Sequence, residues 1–404
     1  MSKGAAGSVG WQTKKLGDFS AAISTGPFGS LLHKSDYVDD GIPLVNPTNM
    51  VNDRILPDPS MLISEATRQR LNSYILDEGD VVVGRRGEIG RCAVVGPTEA
   101  GWICGTGSFF IRPLPSIDSQ FLAHLIRSGT YRGRLEEAAT GTTMKNLSNA
   151  ALSELAVSIP LPPEQRRIVG ILDEAFDGIA TANANAEKNL QNARAVFESH
   201  LQAVFTQRGD GWVEKRLCDV YDVRDGTHDS PKYHPTGYPL VTSKNLKRNG
   251  LDFGDIRMIS EQDYRAINKR SAVDKGDVLF AMIGTIGNPT LVTVEPNFAI
   301  KNVALLKVSG QHSGAFLKYF LDSRGVVARM TKEAKGTTQR FVGLGYLRDF
   351  PISIPPLAKQ LDVVTSLNEL SSETQRLESI YRQNLAALDA LKKSLLDRAF
   401  SGLL

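Results

Sequence analysis

Residues 160–205 read PLPPEQRRIVGILDEAFDGIATANANAEKNLQNARAVFESHLQAVF. A proline pair followed by an acid suits a helix start. Proline tolerates the first turn, and Glu164 complements the positive end of the helix. Beyond Pro163 no proline interrupts the stretch. Apolar or small side chains stand at Ile168, Leu172, Ala175, Ile179, Ala182, Ala186, Ala193 and Val196. The steps alternate four and three, with one missing at Asn189, which marks a single stripe along a long helix of coiled-coil character. At about 1.5 Å per residue, some forty residues make a rod on the order of 60 Å. Such a rod needs a partner of similar length.

The chain supplies one. Residues 355–404 again begin with a proline pair and carry Val363, Leu367, Leu370, Thr374, Leu377, Tyr381, Leu385 and Leu388 at helical spacing. Their end, LLDRAFS (395–401), resembles HLQAVFT (200–206). The rod occurs twice, and so does what precedes it. WQTKKLGDF (11–19) matches WVEKRLCDV (212–220), and IPLVNPTNM (42–50) matches YPLVTSKNL (238–246). EGDVVVGRRGEIG (78–90) matches KGDVLFAMIGTIG (275–287), and FLAHLIRS (121–128) matches FLKYFLDS (316–323). Both units close on a GTT segment, at 141–143 and 336–338. The partners lie about 200 residues apart, so the chain is a tandem duplication of a globular unit followed by a long helix.

Each globular unit reads as α+β with strands predominating. Apolar runs at 80–83, 92–95 and 109–112 are bounded by Gly and Pro, and recur at 277–281, 290–294 and 303–308. One amphipathic helix follows in each unit, around 121–138 and 316–334. The expected division is a first globular domain over 1–160 with a flexible tail at 1–10, a spacer helix over 161–206, a second domain over 207–354 and a second spacer over 355–404. Two tandem copies can pack about an approximate two-fold axis, with antiparallel rods holding them apart. That shape suits a reader of two separated, oppositely oriented targets; DNA half-sites one turn apart lie about 34 Å from each other.

The 404 residues carry 41% hydrophobic and 23% charged side chains, as ordinary soluble proteins do. The three cysteines have no C-x-x-C spacing, so a cytoplasmic location without disulfides or zinc is expected. Nothing reads as a signal peptide or a membrane span. The net charge of +3 is uneven. Residues 1–160 hold 15 basic against 16 acidic side chains, and residues 207–355 hold 22 against 16. Nucleic-acid binding would therefore rest on local patches or on partners. Neither a methyltransferase tetrapeptide of the form [DNS]-P-P-[YFW] nor a Walker loop occurs. The E-x-K at Glu333–Lys335 lacks an accompanying Pro-Asp, so neither enzyme chemistry nor a cofactor or metal is expected.

DNA reading calls for amides, hydroxyls and cations on loops over a rigid sheet. The first unit offers Ser24, Thr25, Phe28, Ser30 and Lys34 in one loop, Asn46, Thr48 and Asn49 in a second, and Arg85 with Arg86 in a third. Thr142, Thr143 and Lys145 surround its GTT turn. In the second unit Thr227, His228, Lys232 and Tyr233 correspond, with Ser243, Lys244, Asn245 and Lys247, then Thr337, Thr338, Gln339 and Arg340. Taken singly, each is as readily a solvated loop residue or a turn former; the loops as sets carry the reading. Ile168, Leu172 and Ile179 with Leu367, Leu370, Leu377 and Leu388 form the expected seam between the rods.

The PLPPEQRRIV start, the duplication and the closing RAFSGLL together resemble the specificity subunit of Type I restriction-modification systems, from about Trp11 to Leu404. The resemblance implies that each globular unit is a target recognition domain for one half of a split sequence in double-stranded DNA. It also implies that the paired helices set the gap and dock two modification subunits, that restriction subunits join this core, and that the chain itself is not a catalyst. The second proline start departs from the first, with Ala358 and Lys359 set against Glu164 and Gln165. The competing reading is a scaffold whose repeated domains bind proteins.

Overall fold

The computed structural model describes residues 10–141, 145–248, 250–336, 340–401 and 403–404. It comprises two compact units. One takes in the chain up to Ala186 together with Gln383–Leu404; the other is Glu187–Arg382. Two helices contribute to both: the central rod, Pro162–Thr206, and the terminal rod, Leu357–Phe400. Among the described residues no helix is long and apolar enough to cross a membrane.

In the first unit, strands β1 (Ser20–Thr25), β2 (Ile42–Val45), β3 (Val81–Gly84), β4 (Cys92–Val94), β5 (Ile103–Cys104) and β6 (Ser108–Pro113) precede helices α1 (Ser119–Arg127) and α2 (Gly129–Ala138). The main sheet has the order β1-β6-β3-β4, antiparallel throughout. β2 and β5 pair in parallel in a second sheet of shorter strands. Side chains alternate across a strand. Val81, Val83, Phe109 and Ile111 therefore face one core with Phe121, Leu122 and Leu125. Val82 and Phe110 face another with Val45 and Leu76. Burial on both faces explains why these strands read as unbroken apolar runs.

The second unit repeats the plan with β7 (Asp222–Asp225), β8 (Tyr238–Val241), β9 (Val278–Ala281), β10 (Gly287–Leu291), β11 (Ala299–Ile300), β12 (Val303–Lys307), α3 (Gly314–Asp322) and α4 (Arg324–Glu333). The order β7-β12-β9-β10 and the parallel β8–β11 pair match the first unit. Phe280 and Leu306 face one core, Leu279 and Leu305 the other.

Three expectations need correction. The single amphipathic helix of each unit is two helices. Ser128 and Ser323 adopt extended backbone between them, and each hydroxyl donates to a carbonyl of the preceding turn, on Leu125 and Phe320, at 2.7 Å. The stripe of the central rod keeps Ile168, Leu172, Ile179, Ala186 and Ala193 buried, but Val196 is 56% exposed and Phe197 takes the inward place, four residues after Ala193. Leu190 is half-buried beside the step that Asn189 breaks. The two proline starts differ less than their letters, because the second aligns one residue later. Gln165 lies five residues after Pro160 and Gln360 five after Pro355, and each amide donates back to that proline carbonyl at 2.8 Å.

Those glutamines tie rod to domain. Gln165 accepts from the backbone N–H of Asp118 at 2.7 Å, and Asp118 in turn caps α1. Gln360 accepts from Ser313 N–H at 2.9 Å, and Ser313 caps α3. Within each unit the rods run antiparallel. Ile168 and Leu172 share a core with Leu396 and Ala399, and Phe176 meets Lys392. Phe197 and Leu201 share one with Val364 and Leu367. Leu370, Leu377 and Leu388 are half-buried. Trp11 packs on Phe121, and Trp212 on Phe205 and Phe316.

Candidate nucleic-acid interface

At one end of each main sheet, loops distant in sequence are bonded into a single cluster. In the first unit Gly26 N–H reaches Ser108 O, Gly105 N–H reaches Val45 O, and Arg85 N–H reaches Gly107 O. Asn46 accepts from Gly107 N–H at 3.2 Å, and Leu147 N–H donates to Arg85 O at 3.0 Å. In the second unit Gly226 N–H reaches Val303 O, Lys301 N–H reaches Val241 O, and Val342 N–H reaches Met282 O. The crossing at Gly26 and Gly226 requires glycine. A Cβ there would stand 2.0 Å from Gly105 O and 2.4 Å from Ile300 O.

Several expected contacts stand on the rim. Phe28 (60% exposed), Ser30, Lys34, Thr48, Arg86 and Lys145 are open in the first unit, as are His228, Lys232, Tyr233, Lys244, Lys247 and Arg340 in the second. Lys145 Nζ lies 3.4 Å from Glu136 O and Arg340 Nη1 lies 3.4 Å from Thr331 O, so each cation also complements the end of the helix before it. Among the described residues, none of the rim lysines and arginines has a carboxylate within 4 Å. Ser24, Thr227 and Ser243 are half-buried. Thr142, Thr143, Thr337, Thr338 and Gln339 lie outside the described residues.

Other candidates are spent on the scaffold. Asn49 and Asn245 are buried. Each side chain bonds the residue three positions before it and donates to a carbonyl seven positions on, Leu56 and Asp252. These amides staple equivalent turns and are withdrawn as base readers. Asn46 is tied to Gly107 and Met61, and Thr25 is buried within β1.

Arg85 is unusual. It is 9% exposed, its Nε donates to Asn146 Oδ1 at 3.0 Å, and its guanidinium lies 5.5 Å from the Phe109 ring centre. Among the described residues no carboxylate stands within 4 Å, and burial together with the Arg86 charge lowers its pKa. In the second unit the equivalent place is held by Met282, a buried core residue.

Three residues join the cluster without having stood out in the sequence. Asn146 holds both Arg85 and Arg86 through one carbonyl oxygen. Lys301 bonds Ser230 at 2.5 Å. Asn302, with φ 56°, accepts from His228 at 2.9 Å. The other ring nitrogen of His228 lies 2.8 Å from Asp225 Oδ2. These two oxygens raise the His228 pKa, the Asn302 bond most.

Two stretches, residues 8–191 and 209–384, match the sequence model of the Type I restriction modification DNA specificity domain. The chain belongs to that family. Among the members it resembles, the EcoKI specificity subunit of Escherichia coli K12 is 22% identical over 391 residues, covering 90% of this chain and 82% of the relative. The MjaIX specificity subunit of Methanocaldococcus jannaschii is 22% identical over 86% of this chain and 83% of its own. The fold is shared with the HsdS subunit of Thermoanaerobacter tengcongensis, at TM-score 0.66 and 20% identity with both chains fully covered. A chain from work on complex assembly and conformational transition of the type I R-M system gives TM-score 0.76 at 21% identity, covering 98% of this chain and 99% of that one.

Proposed function

We propose that this chain is the DNA-recognition subunit of a Type I restriction-modification complex. Each loop cluster reads one half of a bipartite target in double-stranded DNA. The paired rods set the gap and dock two modification subunits, and restriction subunits join that assembly. The role is recognition rather than catalysis, carried out in the cytoplasm, with the domains divided from the spacers at residues 160, 206 and 354. The observation that carries this reading is the duplicated loop cluster. Two sheets of one design present the same set of loops, yet the side chains on those loops differ. A pair of readers with different half-sites requires that combination. The rim cations, lacking carboxylate partners, suit phosphate contacts that position a duplex, while base edges are left to residues deeper in the cluster.

The test is selection from a random double-stranded library by the full chain together with co-purified modification subunits. The expected product is two short half-sites at a fixed gap. Replacing residues 12–158 with those of a relative should change one half-site only, and lengthening the central rod between Phe176 and Leu190 should change the gap only. Capture without sequence preference, or one unbroken motif, overturns the reading.

A further inference from the structure

We infer that Arg85 reads a guanine in the half-site bound by the first unit, and that the half-site bound by the second unit is read without an equivalent arginine. The inference rests on the recognition function proposed above and names the chemistry of one of its contacts.

A guanidinium taken out of water normally meets a carboxylate, because burying an unpaired charge is costly. Arg112 shows the rule in this unit: its guanidinium is paired with Asp80 and Asp77. Arg85 is more deeply buried than Arg112, and its single side-chain bond is Nε to a neutral amide. Among the described residues its Nη1 and Nη2 donate to nothing, and neither belongs to the fully enclosed unpartnered atoms. Toward the described residues, both donors are therefore unspent. Phe109 beneath, Asn146 at Nε and the Gly107 carbonyl on its backbone N–H hold the side chain in place. A rigid fork of two open donors at the floor of a loop cluster matches a ligand edge with two adjacent acceptors. In duplex DNA the major-groove edge of guanine offers that pair, N7 and O6.

Phosphate also offers paired acceptors, but position separates the two. Arg86 shares Asn146 with Arg85 yet points into solvent, and Lys34 and Lys145 are likewise open. Those rim cations stand in solvent, where they can meet the backbone. Arg85 alone among them is both sunk into the cluster and fixed. In the second unit Val342 N–H bonds Met282 O as Leu147 N–H bonds Arg85 O, so Met282 fills the same site with an apolar side chain.

The experiment is the random-duplex selection with the full chain and its modification subunits, run on wild type, R85M, R85K and R86A. R85M puts the second unit's own residue in the first at similar volume. R85K keeps the charge without the fork. The far-UV circular dichroism of each variant is compared with wild type; if R85M fails to fold, R85K carries the test. The expected result is a guanine in one half-site of wild type whose discrimination falls about tenfold or more in R85M and R85K. The other half-site and the gap stay unchanged, while R86A weakens capture of all sequences alike. The inference is overturned if the Arg85 variants keep every base preference and only bind more weakly, which marks a phosphate contact, or if the altered position is not guanine. No split motif in wild type overturns the recognition function itself, and this inference with it.

Discussion

The two globular units are built alike where they must fold and differ where they would read. Gln165 and Gln360, Ser128 and Ser323, Asn49 and Asn245 make the same bonds at the same places. The first helix of each pair even reaches its rod by the same route with different chemistry. His124 meets Asp173 at 3.1 Å, and Tyr319 donates to Asn368 at 2.7 Å. The loop clusters diverge instead. The first holds a sunken guanidinium at Arg85 above which Lys34, Arg86 and Lys145 stand on the rim. The second has Met282 at that floor and a rim of Lys232, Lys244, Lys247 and Arg340, in keeping with its excess of basic residues. Identity between the copies thus marks scaffold, and difference marks the surface free to specialise.

If the scaffold is equivalent, equivalent damage should cost the same in each copy. Leu172 and Leu367 are both fully buried where a rod meets its domain. Leu172→Ala and Leu367→Ala should each destabilise by about 3 kcal/mol, the usual cost of such a cavity. Urea denaturation followed by circular dichroism measures it. A cost in one copy alone would show that the rods carry one domain and merely accompany the other.

The glutamines sharpen the same point. Gln165→Leu leaves Asp118 N–H and the carbonyls of Ser116 and Pro160 without their partner. Gln360→Leu leaves Ser313 N–H and Pro355 O. Buried orphans cost about 1–3 kcal/mol each, so we expect a loss of about 3 kcal/mol for either variant in the same denaturation assay. Equal losses support a common origin for the helix starts. Unequal ones would mean that His312 Nδ1, which Gln360 meets at 3.3 Å where Gln165 meets the Ser116 carbonyl, has changed the balance.

Much of this architecture is legible in the letters. Repeats of seven to thirteen residues, apolar runs and proline-led stripes locate the sheets and rods, because burial patterns survive duplication. Three things are not legible. The breaks at Ser128 and Ser323 depend on a hydroxyl turning back to its own helix, which polar periodicity does not reveal. The inward turn of Phe197 instead of Val196 depends on how the stripe drifts around a straight helix, since 3.6 residues per turn does not divide seven. Side-chain type alone cannot separate Asn49, spent within its turn, from a free amide. The repeat holds a better signal: Asn49 and Asn245 match across the two copies, which favours a shared turn over a specialised surface. Lys301 and Asn302 could have been found the same way, since IKN (300–302) stands where the first unit has CGT (104–106).

The smallest expected difference between the clusters is in pH. At the place after the invariant glycine crossing, the first unit has Phe28, which does not titrate, and the second has His228. Both His228 nitrogens face oxygens, of Asn302 and Asp225, an arrangement that suits the doubly protonated ring. Arg270, which pairs with Asp225 at 2.7 Å, opposes it. The net effect raises the pKa above the ordinary histidine value of 6.5. Stability from the charged ring is therefore complete below 6.5 and fades as pH climbs through the raised value. The added cation on the rim fades over the same range. DNA affinity should fall modestly, by about twofold because the ring is largely exposed, between pH 6.5 and the raised value. In H228Q the decline should be absent, while F28A should leave it in place. A wild-type decline that persists in H228Q would assign the titration to another group and remove this distinction between the two clusters.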